Sequence, residues 1–377
     1  MKVGFAGRWS PLEKSSWSGT YFHTYHAIAQ YAGMETFLYK WPWFVREQLI
    51  LHKQIQKLKN KRVAVEFLKS YAKWFSKQLE KELLVNKVDL LFVPAAPQLI
   101  AYCKTDVPLI FMTDATFRQI QGYYDSFDNL AAYNVQQGIE LDKRAFENAA
   151  HCMLASTWTK HSAMNDYQIP EHKITVAPLG ANLDSIPEIG SLKKEKNKTC
   201  QLLFLGVEWE RKGGQIALDT FYELQKDGVP VQLTIIGCVP PVAVIDKNII
   251  VIPFINKHNK KEAEQLYEIF RNSDFLLLPT RAECAGVVFC EASAFGVPSI
   301  STDTGGVSTY VQDGVNGFAL TLAATAVDYA EKIKAIFGDD AAYRALSISS
   351  RKKYDEELNW DTWGKTFHNI AENILNK

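Results

Sequence analysis

Residues 280–309 read TRAECAGVVFCEASAFGVPSISTDTGGVST, and this stretch predicts how the second half of the chain folds. The apolar run 274–279 that precedes it has the pattern of a strand buried on both faces of a parallel sheet. A short turn carrying Glu283 leads into a predicted helix at 287–295, and a second predicted strand follows at 299–302. This is a strand–helix–strand unit, and open α/β folds bind ligands at the loops on the carboxyl edge of such a sheet.

This strand–helix–strand unit contains two glutamate carboxylates. Glu283 precedes the predicted helix and Glu291 lies within it, so both could face a ligand bound at the N-terminus of the helix. A carboxylate accepts hydrogen bonds from vicinal hydroxyls, and the free amides of a first helical turn suit a phosphate. The pair therefore predicts a sugar nucleotide as the ligand. On spacing alone, two unrelated glutamates on a solvated helix face remain the alternative.

The residues around the pair closely resemble the E-x7-E signature of retaining glycosyltransferases of the GT-B fold, specifically glycosyltransferase family 4. The matching positions are Glu283, Gly286, Glu291, Ala292, Phe295, Gly296, Val297, Pro298, Gly305 and Gly306. The resemblance implies that Glu291 holds the donor ribose and that Glu283 approaches the transferred sugar. It also implies that the amides of Gly286, Val287 and Val288 meet the donor diphosphate.

A second loop, 207–214, follows the apolar run 202–206 and precedes an amphipathic helical pattern. A strand, a cationic glycine-bearing loop and a helix N-terminus together predict an anion site, while an ordinary exposed Lys–Gly turn is the alternative. In the resembling family the lysine matched by Lys212 grips the donor diphosphate. Arg211 could replace the arginine that the family carries where this chain has Val207. Such electrostatic stabilisation of a departing diphosphate requires no metal.

Three further positions depart from the family pattern. Cys284 and Ala285 replace the glycine and the aromatic residue that usually follow the first glutamate, which affects the contacts expected on the sugar side. In the first half, the predicted strand 109–113 ends in Thr113-Asp114, where family members often carry His-Asp and the histidine neighbours the reacting sugar. Asp114 could still orient an acceptor hydroxyl or act as a base, and a cap for the next turn is the alternative.

The first half of the chain alternates predicted strands with helical patterns, which predicts a parallel Rossmann-like sheet. The predicted strands are 2–6, 36–39, 89–93, 109–113, 152–155 and 174–177. The loop after the first strand lacks the dinucleotide fingerprint, so a nicotinamide enzyme is unsupported. In the resembling family a glycine loop here approaches the donor phosphates, and Gly19 occupies that place; a plain N-cap and turn is the alternative.

The chain's 377 residues exceed what one core usually holds, so two domains are expected. The segment 187–198, rich in lysine and helix breakers, predicts an exposed linker. The predicted organisation is α/β, with an acceptor-binding domain at 1–183 and a nucleotide-sugar-binding domain at 184–358. A final helix at 359–377 would return to the first domain, and GT-B implies two Rossmann-like domains facing a central cleft. Further elements predicted in the second half are strands 231–236 and 249–254 and helices 260–271, 327–337, 341–357 and 360–375.

Composition excludes some classes of function. Lysine plus arginine equals aspartate plus glutamate at 42 each, which leaves no overall field to attract nucleic acid. The six cysteines lack metal-ligand spacing, which favours reduced, buried thiols in a cytosolic protein. Cys284 and Cys290 lie near the predicted site, but no base adjoins them in sequence. No leader or membrane-spanning run is recognisable, so a cytoplasmic location is predicted.

The segment 45–87 differs from its surroundings, with eleven Lys or Arg residues against four Glu and apolar residues at helical spacing. Basic amphipathic helices can lie on anionic membranes, and proteins of the resembling fold often use such a face to reach lipid-linked acceptors. Peripheral contact at the inner face of a membrane is therefore one hypothesis. A solvated charged face packed on its own sheet is the other.

The function predicted from these residues is a retaining glycosyltransferase that uses a UDP- or GDP-linked sugar, with no further cofactor and no metal. The acceptor would be a hydroxyl of a glycan, a lipid-linked molecule or a small molecule, as in polysaccharide or glycoconjugate biosynthesis. Three alternatives stay open: a sugar-nucleotide epimerase of the GT-B fold, a phosphorylase of that fold, and a non-catalytic protein that binds nucleotide sugars. An epimerase needs no second substrate, so products formed from the donor alone would distinguish it.

Overall fold

The computed structural model describes residues 1–39, 43–188, 192 and 196–376, with side chains described at all of these except 43–48 and 51. The chain divides into two compact units. Met1–Pro178 and the segment from Trp360 onward make up the first, called here the N-terminal unit. Leu179–Asn359 makes up the second, called the C-terminal unit. Each is built on its own six-stranded sheet.

The N-terminal unit has a parallel sheet with helices in its connections. Its strands are β1 Lys2–Gly7, β2 Gly33–Leu38, β3 Leu90–Pro94, β4 Leu109–Thr113, β5 His151–Leu154 and β6 Ile174–Val176. Its first seven helices are α1 Thr20–Ala29, α2 Trp43–Leu58, α3 Lys69–Val85, α4 Pro97–Ile100, α5 Phe117–Ile120, α6 Ala132–Asn148 and α7 Thr157–Tyr167. The strand order is β2-β1-β3-β4-β5-β6. β3 and β4 are buried along their whole length, as expected of central parallel strands.

The C-terminal unit repeats this architecture. Its strands are β7 Cys200–Leu205, β8 Val231–Ile236, β9 Ile249–Ile252, β10 Phe275–Leu278, β11 Ser299–Thr302 and β12 Gly317–Leu320. Its helices are α8 Gly214–Lys226, α9 Lys260–Asn272, α10 Val287–Ala294, α11 Val307–Tyr310, α12 Ala326–Phe337 and α13 Asp340–Glu356. The parallel strands follow the order β12-β11-β10-β7-β8-β9. The chain reverses direction across the sheet between β7 and β10, so their carboxyl ends form a topological switch point.

The last helix, α14 Trp360–Leu375, belongs to the N-terminal unit. Trp363 is buried there, with its ring centroid 5.8 Å from that of Phe92 in the middle of the sheet. A Cβ on Gly364 would lie 3.0 Å from the carbonyl oxygen of Ala27, which shows how closely α14 approaches α1. The end of the chain therefore packs into the core of the unit in which the chain begins.

Some predicted boundaries were wrong. β2 begins at Gly33 rather than residue 36, because its first residues pair with β1 from the Lys2–Gly33 register onward. The strand predicted at 249–254 ends at Ile252, since Pro253 has no amide hydrogen to continue the ladder. The chain passes from the first compact unit to the second between Pro178 and Leu179, and the predicted domain boundary at 183 stays a prediction. Most of the predicted linker, at 189–191 and 193–195, lies outside the described residues.

The lysine-rich segment 45–87 forms most of α2 and all of α3, joined by a short irregular stretch. Phe75 and Leu79 of α3 are buried in the core of the N-terminal unit, which fits the packed-helix hypothesis for that helix. Among the described residues, every helix falls short of the length and apolarity needed to cross a membrane. These observations leave peripheral membrane contact as a hypothesis.

Candidate functional site

The loops that follow β7 and β10 lie directly against each other in the C-terminal unit. Gly213, at the end of the first loop, has a φ of +72°, and a Cβ there would lie 2.0 Å from the carbonyl oxygen of Pro279 in the second. The amide of Arg281 donates to the carbonyl of Arg211 at 2.7 Å. Because the backbones are this close, only glycine fits at position 213. At the topological switch point, the loops after β7 and β10 are thus held in a fixed position relative to each other.

Lys212 and Glu283 form an ion pair across these loops, although they are 71 residues apart in sequence. The Nζ of Lys212 donates to Oε2 of Glu283, and the side chains are 12% and 9% exposed. A Cβ on Gly206 would lie 2.8 Å from Cγ of Lys212, so glycine at the end of β7 leaves space for the lysine stem. The residue predicted to grip the diphosphate therefore meets the residue predicted to approach the transferred sugar.

Arg211 supplies a second cation beside the same carboxylate. Its Nη1 lies 3.8 Å from Oε2 of Glu283 and donates to the carbonyl of Ala282 at 2.9 Å. Its Nε pairs with Glu208, and this hydrogen bond lowers the pKa of the Glu208 carboxyl. Arg211 is thereby held at the loop surface with one face toward Glu283. It lies where the sequence predicted a cation to replace the one missing at Val207.

Glu291 lies in the second turn of α10, and its side chain is only 3% exposed. Its Oε1 accepts a hydrogen bond of 2.6 Å from Nζ of Lys257, whose side chain is 38% exposed. Lys257 comes from the connection between β9 and α9, 34 residues earlier in sequence. It was not among the site residues predicted from sequence. No local pattern distinguishes Lys257 in sequence from the other surface lysines.

The N-terminus of α10 carries the three amides predicted to meet a diphosphate. Gly286 is the N-cap residue, and a Cβ on it would lie 2.2 Å from the ring of Phe289. The amide of Val287 donates to the carbonyl of Ala285 at 3.2 Å. Within the described part of the chain, the amides of Gly286 and Val288 have no hydrogen-bond acceptor. Two of the three amides are therefore unengaged, while that of Val287 has an internal partner.

A third loop, which follows β11, fixes the backbone beneath Glu283. The amide of Gly306 donates to the carbonyl of Glu283 at 2.9 Å, and the hydroxyl of Thr304 donates to the carbonyl of Arg281 at 3.4 Å. These bonds engage main-chain oxygens, whereas Lys212 and Arg211 contact the carboxylate of Glu283. The Gly305-Gly306 turn noted in the sequence thus supports the loop that carries Glu283.

Asp114 and Thr113 belong to the N-terminal unit, at the carboxyl end of β4. The carbonyl of Asp114 accepts from Oγ1 of Thr159 at 2.5 Å, and Oγ1 of Thr113 donates to the carbonyl of Ala115 at 2.8 Å. Thr113 therefore turns its hydroxyl back onto its own loop, at the position where the resembling family carries histidine. The side chain of Asp114 is partly exposed.

A buried carboxyl that the sequence patterns did not indicate lies beneath this loop. Asp142 of α6 is 4% exposed, and its Oδ2 accepts from the amide of Phe117 at 2.5 Å and from the hydroxyl of Tyr167 at 3.5 Å. Burial raises the pKa of the Asp142 carboxyl to about 7, and the bond from Phe117 opposes this rise. Asp142 thus anchors the chain three residues after Asp114.

Gly19 also lies in the N-terminal unit, as the N-cap residue of α1. Its φ is +93°, and the two residues before it, Trp17 and Ser18, have φ values of 48° and 54°. Three consecutive left-handed residues make a tight loop that only glycine, among the three, adopts without strain. The hydroxyl of Tyr21 donates to the carbonyl of Pro94 at 2.8 Å and ties the start of α1 to the end of β3. The predicted glycine loop is therefore a tight loop, and the Tyr21 hydrogen bond holds the helix that follows it against the end of β3.

The cysteines near the site are deeply buried. Cys284 is 2% exposed and Cys290 is 0% exposed, and neither forms a disulfide. The thiol of Cys290 donates to the carbonyl of Leu179 at 3.2 Å, and burial raises its pKa well above the usual value. A thiol held in this form is a poor nucleophile. In the described residues, no group of three His, Cys, Asp or Glu side chains is spaced to hold a metal ion, and the metal-free mechanism stays a prediction.

Comparison with known proteins bears directly on the C-terminal unit. Residues 199–339 match the family model described as glycosyl transferases group 1. These residues form a group 1 glycosyl transferase domain. The domain contains both loops of the switch point, with Lys212, Glu283, Lys257 and Glu291.

Two curated relatives match parts of the same chain. A D-inositol 3-phosphate glycosyltransferase of Nocardia farcinica is 35% identical over 85 residues, which are 22% of this chain and 19% of that protein. A D-inositol 3-phosphate glycosyltransferase of Arthrobacter sp. is 29% identical over 147 residues, which are 37% of this chain and 35% of that protein. The chain thus spans about a third of the Arthrobacter relative and less of the other.

Solved structures resemble the chain over its whole length. The lipopolysaccharide outer core galactosyltransferase WaaB, in its apo form, matches with a TM-score of 0.66 and 15% identity over 99% of both chains. Anabaena HepE, solved in complex with UDP and glucose, matches with a TM-score of 0.60 and 13% identity over 99% of both chains. At this identity the likeness establishes the fold. The predicted GT-B class, with two Rossmann-like domains, is confirmed.

Proposed function

We propose that this protein is a retaining glycosyltransferase of family 4, which transfers a sugar from a nucleoside diphosphate donor to a hydroxyl of an acceptor. The observation that carries the proposal is the cluster at the switch point of the C-terminal unit. There Lys212 and Arg211 adjoin Glu283, and Glu291 lies in α10, the helix that follows the Glu283 loop. The group 1 glycosyl transferase domain that contains this cluster supports the same activity.

The donor diphosphate would lie against Lys212, Arg211 and the N-terminus of α10. Its negative charge suits an ammonium, a guanidinium and the unengaged amides of Gly286 and Val288. Lys212 is paired with Glu283 in this structure, so the diphosphate would replace Glu283 as its partner. Glu283 would then be released to accept a hydrogen bond from a hydroxyl of the transferred sugar.

Electrostatics would supply most of the rate enhancement. As the glycosidic bond to the diphosphate lengthens, negative charge grows on the leaving group and positive character grows on the sugar. Lys212 and Arg211 would stabilise the first, and the carboxylate of Glu283 would stabilise the second. Retention of the anomeric configuration follows if the acceptor hydroxyl attacks on the face that the diphosphate leaves, and diphosphate oxygens could take the proton.

The N-terminal unit would bind the acceptor. Asp114, partly exposed at the carboxyl end of β4, could orient the acceptor hydroxyl, and a role for the Gly19 loop stays a prediction from sequence. We also propose a cytoplasmic protein, in which the lysine-rich segment 45–87 could reach a lipid-linked acceptor at the inner face of a membrane. Lys69 and Lys73 of α3 are exposed in a way that would allow such contact.

A thermal-shift panel tests the donor site. A nucleotide that binds only the folded protein raises its melting temperature, and we expect one of UDP and GDP to do so selectively. Lys212→Met and Glu291→Gln should lose most of this shift. Lys226→Met is the matched control, because Lys226 is an exposed lysine of α8 that pairs with Glu223 outside the site. A panel in which no nucleotide raises the melting temperature of the wild-type protein would contradict the proposal.

Product analysis then tests the reaction. With the preferred nucleotide sugar and an acceptor panel of inositol phosphates and oligosaccharides, we expect a new α-glycoside from an α-linked donor, measured by proton NMR of the anomeric signal. Conversion of the sugar in the absence of acceptor would indicate an epimerase instead. Binding without any product would favour a non-catalytic protein, an outcome that the loss of histidine at Thr113 makes worth testing.

A further inference from the structure

The carboxylate of Glu291 is one of the most deeply buried charges in the C-terminal unit, with its side chain 3% exposed. Burying a carboxylate without a partner is costly, because the lost hydration must be replaced by hydrogen bonds and opposite charge. The ion pair with Lys257, at 2.6 Å from Nζ to Oε1, offsets this cost. Removing Lys257 would leave the carboxylate buried and without this cation.

The segment that carries Lys257 is held in place on both sides. The amide of Asn256 donates to Oε2 of Glu262 at 2.7 Å, and the amide of His258 donates to Oδ1 of Asn256 at 3.0 Å. Asn259 caps α9 by accepting from the amides of the first turn, and Ile255 is buried. The backbone of Lys257 is therefore fixed, and its side chain spans from this connection to α10 in one defined direction.

The ion pair with Lys257 occupies only some of the hydrogen-bond acceptor sites of the Glu291 carboxylate. Lys257 bonds Oε1, and a carboxylate has about four acceptor sites on its two oxygens. Oε2 and the remaining lone pair of Oε1 can still accept two hydroxyl protons. Two vicinal hydroxyls on one ring present this pair of donors, and the ribose of a nucleotide carries them at its 2′ and 3′ positions. The direction in which Lys257 pulls Oε1 decides where the free acceptor sites point.

We propose that Lys257 is a positioning residue that orients the Glu291 carboxylate for the ribose hydroxyls of the donor nucleotide. This inference rests on the proposed function, since it requires a nucleotide in this site. Lys257 acts through Glu291, so its removal should affect the ribose contact and leave the diphosphate contact unchanged. A lysine that served only as a counter-ion for folding would change stability without changing how the protein distinguishes one sugar from another.

The test compares a nucleotide with its 2′-deoxy form by isothermal titration calorimetry. The probes are UDP and 2′-deoxy-UDP, or GDP and 2′-deoxy-GDP if guanosine is preferred, together with inorganic pyrophosphate. In the wild-type protein the deoxy form should bind about tenfold or more weakly, because it lacks a hydrogen bond to a charged group. Lys257→Met should reduce this ratio to within about twofold of unity, as Glu291→Gln should, while affinity for pyrophosphate stays unchanged.

Two further variants sharpen the comparison. Lys257→Arg keeps a cation within reach of Glu291 and should restore most of the wild-type ratio. Lys260→Met removes an exposed lysine at the start of α9 and should leave the ratio as it is in the wild-type protein. If Lys257→Met does not fold, Lys257→Gln takes its place, because its shorter side chain carries no charge to hold Oε1.

The outcomes separate this inference from the function on which it rests. A wild-type protein that binds neither nucleotide would overturn both. A wild-type protein that binds both forms equally would overturn only the ribose role of Glu291 and with it that of Lys257. A wild-type ratio that persists in Lys257→Met and Lys257→Gln would overturn the inference and leave the donor site intact. Collapse of the ratio in those variants, with recovery in Lys257→Arg, would support it.

Discussion

Both acidic residues of the E-x7-E pattern are engaged by lysines within the C-terminal unit. Glu283 is paired with Lys212, and Glu291 is paired with Lys257. The side chains of Lys212 and Glu283 are mostly buried, so water and salt screen their attraction less than at a surface. A diphosphate that binds Lys212 must therefore compete with a carboxylate that already holds it. Lys212 is therefore already paired with an acidic residue of the site before a ligand binds.

This competition predicts an unusual effect of Glu283→Gln. Because glutamine removes the negative charge beside Lys212 and Arg211, we expect UDP or GDP to bind about five- to tenfold more tightly, which corresponds to about 1–1.4 kcal/mol. Transfer of the sugar should fall about 100-fold or more, since Glu283 would no longer stabilise charge on the sugar. Isothermal titration calorimetry with the diphosphate measures the first effect, and initial rates with the nucleotide sugar measure the second.

A control isolates the role of Glu283. Glu208→Gln removes the other carboxylate that pairs with Arg211, but the side chain of Glu208 is 57% exposed, so water screens its charge. Its effect on affinity should be less than about twofold. Unchanged or weaker diphosphate binding in Glu283→Gln would show that the ion pair with Lys212 does not compete with the ligand.

At the scale of elements, the loops after β7 and β10 act as one structure because of Gly213. Its φ of +72° is unfavourable for other residues, and the carbonyl oxygen of Pro279 occupies the space of a side chain. Gly228, at the end of α8, has nearly the same φ of +76°, and a Cβ added to it would meet nothing within 4 Å. The chain thus offers two glycines that share a conformation and differ in their surroundings.

These two glycines give a matched prediction. Gly228→Ala should cost only the conformational penalty of a left-handed alanine, about 1 kcal/mol. Gly213→Ala should cost more than about 3 kcal/mol, because the backbone of Pro279 must also move. The melting temperature of each variant checks this, and nucleotide binding should be lost only in Gly213→Ala. Equal melting temperatures for the two variants would show that the loops can separate without penalty.

The elements themselves were largely predictable from sequence, whereas their cross-connections were not. The apolar run before Pro279 predicted β10, and the glycine and proline punctuation after it predicted α10 and β11, because these signals are local. The pairing of Lys257 with Glu291 depends on strand order, which places distant connections at one sheet edge. Local patterns carry no information about which of many surface lysines such an order selects.

The same distinction holds for the loop of Asp114. Its position at the end of β4 followed from the apolar run 109–113, which the structure reproduces residue for residue. Its anchor, Asp142, comes from the middle of α6 and looks like one more polar residue of an amphipathic helix in sequence. Only the packing of α6 beneath the loop reveals that this carboxyl is buried against Phe117.

At the scale of the whole molecule, each unit repeats one plan: a six-stranded parallel sheet with functional candidates at the carboxyl ends of its strands. In the N-terminal unit this architecture buries the carboxyl of Asp142, which has a free-energy cost when the carboxyl is ionised. Asp142 accepts hydrogen bonds from the amide of Phe117 and the hydroxyl of Tyr167, and both of these donors are uncharged. Its ionisation therefore affects the stability of the unit as well as the loop above it.

The pKa of Asp142 predicts how stability changes with pH. Burial raises this pKa to about 7 in the folded protein, whereas an aspartate in an unfolded chain has a pKa of about 3.9. Between these values the folded state binds more protons than the unfolded state, so the contribution of Asp142 falls as pH rises from about 4 to about 7. Asp142→Asn cannot ionise. It should therefore destabilise the protein more at pH 5 than at pH 8, and the midpoint of urea unfolding checks this.

Asp125→Asn replaces an exposed carboxyl of the same unit and should show the same small effect at both pH values. An Asp142→Asn effect that does not depend on pH would mean that the carboxyl keeps its ordinary pKa when buried.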